Sequence, residues 1–214
     1  MPLPLEHIEK LGLGGWKQVS SSAEDGEIIS ELEYQYAGRV IAKRQENATG
    51  GNALLAMVEA VKSEEYLPGF YQQRWQQIEH WKLFVQLNPN QMNHEKLTST
   101  ESVESSNVSF ESWFTEQLEQ LGVETLEDLE LFAANDFPFH GIPEWEYEDF
   151  AELYPFELAL SALNLTVEYE PKKKLVYVVY ANGLRKTAPK RWELPRWNGW
   201  RIQYKKASRI VDIR

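Results

Sequence analysis

LTVEYEPKKKLVYVVYANG, residues 165–183, is where the chain changes its periodicity. Leu165, Val167 and Tyr169 alternate with Thr166, Glu168 and Glu170, the two-residue period of a half-buried strand. Pro171 and three lysines read as a turn. LVYVVYA then reads as a second strand, buried or central in its sheet. Asn182-Gly183 reads as a hairpin turn, because both central residues of such a turn need positive φ. A second Asn-Gly, 198–199, leads into WRIQYK, where Trp200, Ile202 and Tyr204 oppose Arg201, Gln203 and Lys205. A last strand is expected from about Arg209 to Ile213. The C-terminal part is therefore expected to form a small antiparallel sheet or open barrel.

Upstream of this stretch the pattern is mostly helical. Residues 27–44, EIISELEYQYAGRVIAKR, are the exception and read as a β-hairpin or bent strand that turns at Gly38. SSSAEDG before it and QENATGG after it have loop composition. Asn52 is the expected N-cap of an apolar helix, NALLAMVEAV. A longer helix spans about Phe70 to Leu87, with Tyr71, Trp75, Ile78, Trp81 and Val85 in one stripe. Residues 93–109 are polar and aperiodic, as in a linker. Phe110, Phe114, Leu118 and Leu121 share a helix face, which Gly122 ends. Thr125 with Asp128 approximates a capping box for a short helix through Ala134. Pro143 opens another, with Trp145, Phe150 and Leu153 as its apolar residues. The expected class is α+β, a mainly helical body with an N-terminal β-hairpin and the C-terminal sheet. The expected divisions are 1–92 (hairpin plus helices), 93–109 (linker), 110–156 (short helices) and 157–214 (basic β module).

Charge divides the chain at almost the same place. From Lys172 to Arg214 there are 13 Lys or Arg and two acids, Glu193 and Asp212, a net of +11. The rest holds 9 basic and 31 acidic residues, a net of −22. Such a split suits a basic surface facing an anion, or two blocks that attract each other within one fold. With no cysteine there are no disulfides or thiolate metal sites, and a cytoplasmic location fits best. The N-terminus, MPLPLEHIEKLGLGGW, lacks the basic and apolar regions of a signal peptide, and no apolar run reaches the length of a membrane span.

Catalytic signatures are missing. Nothing matches the phosphate-binding loop G-x-x-x-x-G-K-[ST], G-x-S-x-G or H-E-x-x-H. His7, His80, His94 and His140 are scattered. His140 precedes Glu144, Glu146 and Glu148, but acids at a helix start are already explained by the helix dipole. No cofactor, metal or catalytic residue is expected. The chemistry of Trp192, Trp197 and Trp200 among Lys190, Arg191, Arg196 and Arg201 is different. Rings can stack on unpaired bases while cations meet phosphates, or they can cover one end of a small sheet while the charges face water.

The order and spacing of these elements resemble the region C-terminal to the motor in bacterial HrpB-like DEAH-box ATP-dependent helicases. The resemblance runs over about residues 27–181 through EYQYAGRVIAKRQE, NALLAMVEAV, LPGFYQQRWQQIEHWKLFVQLNP, PEWEYEDFAELYP and LTVEYEP. Its most specific part is WFTEQLEQLGVETLEDL, Trp113 to Leu129. The Walker lysine and the DEAH sequence of the motor are missing, so no ATPase residue carries over. The resemblance implies a non-catalytic accessory region beside a helicase motor, in cis or in trans. Its expected ligand is RNA or single-stranded DNA. The candidate phosphate contacts are Lys172, Lys173, Lys174, Arg191, Arg196, Arg201 and Lys205, and the candidate stackers are Trp197 and Trp200. The alternative is a protein-interaction module that touches no nucleic acid.

Overall fold

Alternation in EIISELEYQY puts Ile28, Ser30, Leu32 and Tyr34 on a buried face and leaves Glu31 and Glu33 on the other. A computed structural model of the protein, which describes residues 5–24, 27–89 and 108–214, builds its first sheet around this strand. A short helix α1 (Leu5–Lys10) precedes β1 (Gly15–Glu24), β2 (Glu27–Tyr36) and β3 (Arg39–Asn47), which form an antiparallel sheet in that order. The β2–β3 hairpin turns through Ala37 (φ 46°) and Gly38 (φ 75°). β1 corrects the loop expected at SSSAEDG, since Ser20, Ser21 and Ser22 pair with Glu31, Ser30 and Ile29. A largely solvated edge strand needs no apolar alternation, so its sequence carries no period.

Helix α2 (Gly51–Lys62) packs on this sheet and buries Leu54, Met57, Val58 and Val61. Each such side chain contributes roughly 1.5–3 kcal/mol. Its N-cap is Gly50, without a side-chain bond, and not the expected Asn52, which lies inside the helix. α3 (Phe70–Leu87) and α4 (Phe110–Leu121) have the expected extents. Phe70, Phe110, Phe114 and Phe137 form one aromatic cluster. Arg74 is buried beside it, donating Nε to the Phe137 carbonyl and Nη2 to that of Ala134, both at 3.0 Å. Of the expected linker, residues 93–107 lie outside the described residues. Ser109 belongs to the helix that follows, as the N-cap of α4. Gly122 ends α4 in the left-handed region (φ 68°), and Thr125 and Asp128 cap α5 (Leu126–Glu130), which stops short of Ala134.

The chain forms two compact units: 1–74 with 109–138, and 75–108 with 139–214. In the second unit, α6 (Glu144–Leu153) packs Phe150 against Phe84, with ring centroids 5.4 Å apart. Trp145, expected among its apolar residues, is 85% exposed. His80 is buried between the Tyr154 carbonyl (Nε2, 3.0 Å) and the Tyr147 hydroxyl (Nδ1, 3.2 Å). A carbonyl can only accept, so Nε2 carries the proton and Nδ1 accepts from Tyr147. Burial lowers the His80 pKa.

The second sheet comprises β4 (Glu157–Leu160), β5 (Leu163–Glu170), β6 (Leu175–Asn182), β7 (Arg201–Lys206) and β8 (Arg209–Ile213), neighbours in that order. β6 and β7 pair in parallel, and all other pairs are antiparallel. This overturns the expected hairpin at Asn182-Gly183, because parallel neighbours need a crossover. The crossover spans residues 183–200. It lays Leu194 and Trp197 on the sheet face made by Leu165, Val167, Val178, Ile202 and Tyr204. Gly183 is required where the chain leaves the sheet. Its φ is 130°, and a Cβ there would stand 2.5 Å from the Ala162 carbonyl oxygen.

The expected mainly helical body with an antiparallel sheet or open barrel is therefore incorrect. About 38% of the described residues are helical and 31% lie in strands. There are two sheets, the larger one is mixed, and neither closes into a barrel. Among the described residues no helix is long and apolar enough to cross a membrane.

Candidate nucleic-acid interface

The alternation of WRIQYK is realised in β7. Ile202 and Tyr204 are buried, while Arg201, Gln203 and Lys205 share the opposite face. Arg201 is not free on that face. Its Nε and Nη2 donate to the two carboxylate oxygens of Asp212 in β8, both at 3.0 Å, and Gln203 donates to the same carboxylate at 2.8 Å. Asp212 is held below the usual carboxylate range by Gln203 and Arg201. Lys205 is half-buried further along the strand, and its neighbour Lys206 sits 3.9 Å from the centroid of the Tyr180 ring.

Parallel pairing brings the lysine turn to the start of β7. Pro171–Lys173 is one 3-10 turn, and Lys174 closes it in the left-handed region (φ 47°). The Arg201 amide donates to the Lys174 carbonyl at 2.9 Å. Ile213 pairs with Ile202, so Arg214 lies at the same sheet end. Lys172, Lys173, Lys174, Arg201 and Arg214 thus share one end of the sheet, a grouping that a hairpin topology would not give. Within it Lys173 pairs with Glu170 at 2.6 Å and Arg201 with Asp212. Lys172 and Lys174 are exposed and form no ion pair among the described residues.

Arg191 and Arg196 lie elsewhere, in the crossover. Arg191 donates to the carbonyls of Leu194 (3.4 Å) and Pro195 (2.9 Å), which turns its guanidinium toward the backbone. Arg196 is exposed and lines a shallow groove of about 650 Å³ with Asp149, Glu152 and Glu193, so carboxylates share its surroundings.

The aromatic assignments change most. Trp197 is 2% exposed, and its indole N–H donates to the Leu153 carbonyl at 2.8 Å. Both its faces are covered by protein, so it is a core residue and not a stacker. Trp200 is half-buried, with Tyr154 and Tyr169 at centroid distances of 6.2 and 6.1 Å. The exposed ring of this segment is Trp192, at 77%. The sequence does hold a hint of this. Leu194 and Trp197 are three residues apart on either side of Pro195-Arg196 and serve as anchors, whereas Trp192 stands directly between Arg191 and Glu193.

The crossover is held by one ion pair. Arg185 meets the Glu193 carboxylate at 2.6 and 2.8 Å and donates to the Ala188 carbonyl at 3.1 Å. Glu193 also accepts from the Lys190 amide at 2.7 Å. Arg185 and this amide hold the Glu193 pKa down at about 2. No group of three or more His, Asp or Glu side chains is placed to hold a metal ion among the described residues.

These features define an α+β chain whose mixed five-stranded sheet carries a basic end and a basic, aromatic crossover. The chain matches no protein-family model, no curated protein and no solved structure.

Proposed function

We propose that the chain is a non-catalytic, cytoplasmic accessory region that binds RNA or single-stranded DNA through its basic β module, beside an ATP-dependent helicase motor in cis or in trans. The observation that carries this reading is the state of the cations between Lys172 and Arg214. Among the described residues, only Lys173, Arg185 and Arg201 of this segment form ion pairs, and all three partners are local: Glu170, Glu193 and Asp212. Lys172, Lys174, Lys186 and Lys205 form no ion pair among the described residues. Scattered lysines suit phosphate contact and carry no base code. The association with a motor is supported by the order and spacing from EYQYAGRVIAKRQE to LTVEYEP, and a cytoplasmic location by a sequence without cysteine.

Affinity for a 12-nucleotide single strand across a salt series tests the reading. Three to five phosphate contacts give a log–log slope of about −2 to −3.5. Lys172→Ala with Lys174→Ala flattens it. A correctly folded protein that ignores the strand at low salt, or that captures a protein partner resistant to nuclease instead, overturns the proposal.

A further inference from the structure

Glu193 is the only acid between Gly183 and Trp200, and Arg185 already occupies its carboxylate. An anion approaching the crossover therefore meets Lys186 and Lys190, while Asp149 and Glu152 of α6 lie on the Arg196 side of it. Trp192 projects from the middle of this patch, in the 3-10 turn Arg191–Glu193. The turn cannot easily collapse onto the ring. Buried Pro189 and Leu194 anchor it on both sides, and the Glu193 carboxylate accepts from both the amide of Lys190, the residue before the turn, and Arg185. The result is a tryptophan held out on a fixed mount, so little conformational freedom is lost when something lands on it.

We infer that Trp192 is the stacking platform of the module, taking the face of one unpaired nucleobase while Lys186 and Lys190 hold the adjoining phosphates. This rests on the single-strand reading above and deepens it. The occupant follows from the combination of ring and charge. A single rigid ring is enough to stack a base, whereas a bilayer anchor needs an extended apolar face or an acyl chain. Trp145 provides the internal contrast. It is still more exposed, but Glu144 and Glu146 flank it, and their charge repels phosphate.

The test is a cycle between protein and ligand. Affinity of the full chain is measured for a labelled 12-nucleotide uridine RNA and for the same backbone with abasic sites, in wild type, Trp192→Ala, Trp192→Phe and Trp145→Ala. Stacking predicts that Trp192→Ala weakens uridine binding about 5- to 150-fold. It also predicts that this variant leaves the abasic strand unaffected, that Trp192→Phe keeps most of the affinity, and that Trp145→Ala changes nothing. A wild type that binds uridine RNA while Trp192→Ala binds it equally well overturns the stacking role and leaves the single-strand reading standing. An equal loss on both strands also overturns it, because the ring would then act only on the backbone. A wild type that binds neither strand removes both proposals. Trp192-dependent binding to phosphatidylserine vesicles without RNA binding replaces the base by a lipid surface.

Discussion

Trp197→Ala removes the ring that joins the crossover to the five-stranded sheet. A buried tryptophan withdraws about 150–250 Å² from water, which at about 25 cal/mol per Å² is about 4–6 kcal/mol. Residual compactness of the unfolded chain reduces this figure, and truncations of buried large aromatics cost about 3–5 kcal/mol. The Leu153 carbonyl also loses its 2.8 Å donor, at about 1–3 kcal/mol if water cannot reach it. A loss of about 4 kcal/mol or more is expected for the second unit. Trp197→Phe keeps most of the area and loses the N–H, for a cost of about 1.5–3 kcal/mol. Trp192→Ala, at a ring that is 77% exposed, stays within about 0.5 kcal/mol of wild type. Urea unfolding followed by far-UV circular dichroism measures the differences. Hydrogen exchange at the Val176 and Val178 amides of central β6 assigns the loss to this unit. If Trp197→Ala and Trp192→Ala lie within about 1 kcal/mol of each other, the crossover does not seal that sheet face and the parallel topology is wrong.

Asp212→Ala releases Arg201 and Gln203 on the outer face of β7. It should tighten single-strand binding at low salt and steepen the log–log salt slope by about 0.7. Thr125→Ala removes the cap whose Oγ1 accepts from the Asp128 amide at 3.1 Å, and urea unfolding should show about 1 kcal/mol lost. Acid should weaken the second unit in two windows. The folded-state pKa of His80 lies below 6.5, so below that pH the unfolded chain binds more protons, and stability falls as the pH drops from about 6.5 toward the lower folded-state value. Glu193 titrates at about 2 against 4.5 unfolded, so its contribution is present above pH 4.5 and is lost as the pH falls toward 2. Thermal midpoints at pH 7.5, 6, 5 and 3 measure both, and a midpoint that rises between pH 7.5 and 5 contradicts the burial of neutral His80.

Periodic helices were legible because their signals are local. α3 and α4, the Gly122 stop and the Thr125–Asp128 cap each follow from a few adjacent residues, as do the alternation of β5 and the charge split near residue 171. Solvated or short strands were not legible. β1 is built from serines at an edge and β4 is four residues long, so neither offers a two-residue period long enough to read. Asn182-Gly183 misled for a different reason. The same glycine that would permit a hairpin also permits φ 130° against Ala162, and only the strand partner distinguishes the two.

LTVEYEPKKKLVYVVYANG by itself determined two strands and a lysine turn, because alternation and turn chemistry depend on neighbours in sequence. The tertiary structure decided that β6 takes β7 as a parallel partner. That pairing forces an eighteen-residue crossover over the sheet. It buries Trp197, leaves Trp192 in solvent and brings Lys174 beside Arg201. These outcomes depend on which residues meet across the sheet, and tryptophans and cations of like composition carry no local mark of which will be covered.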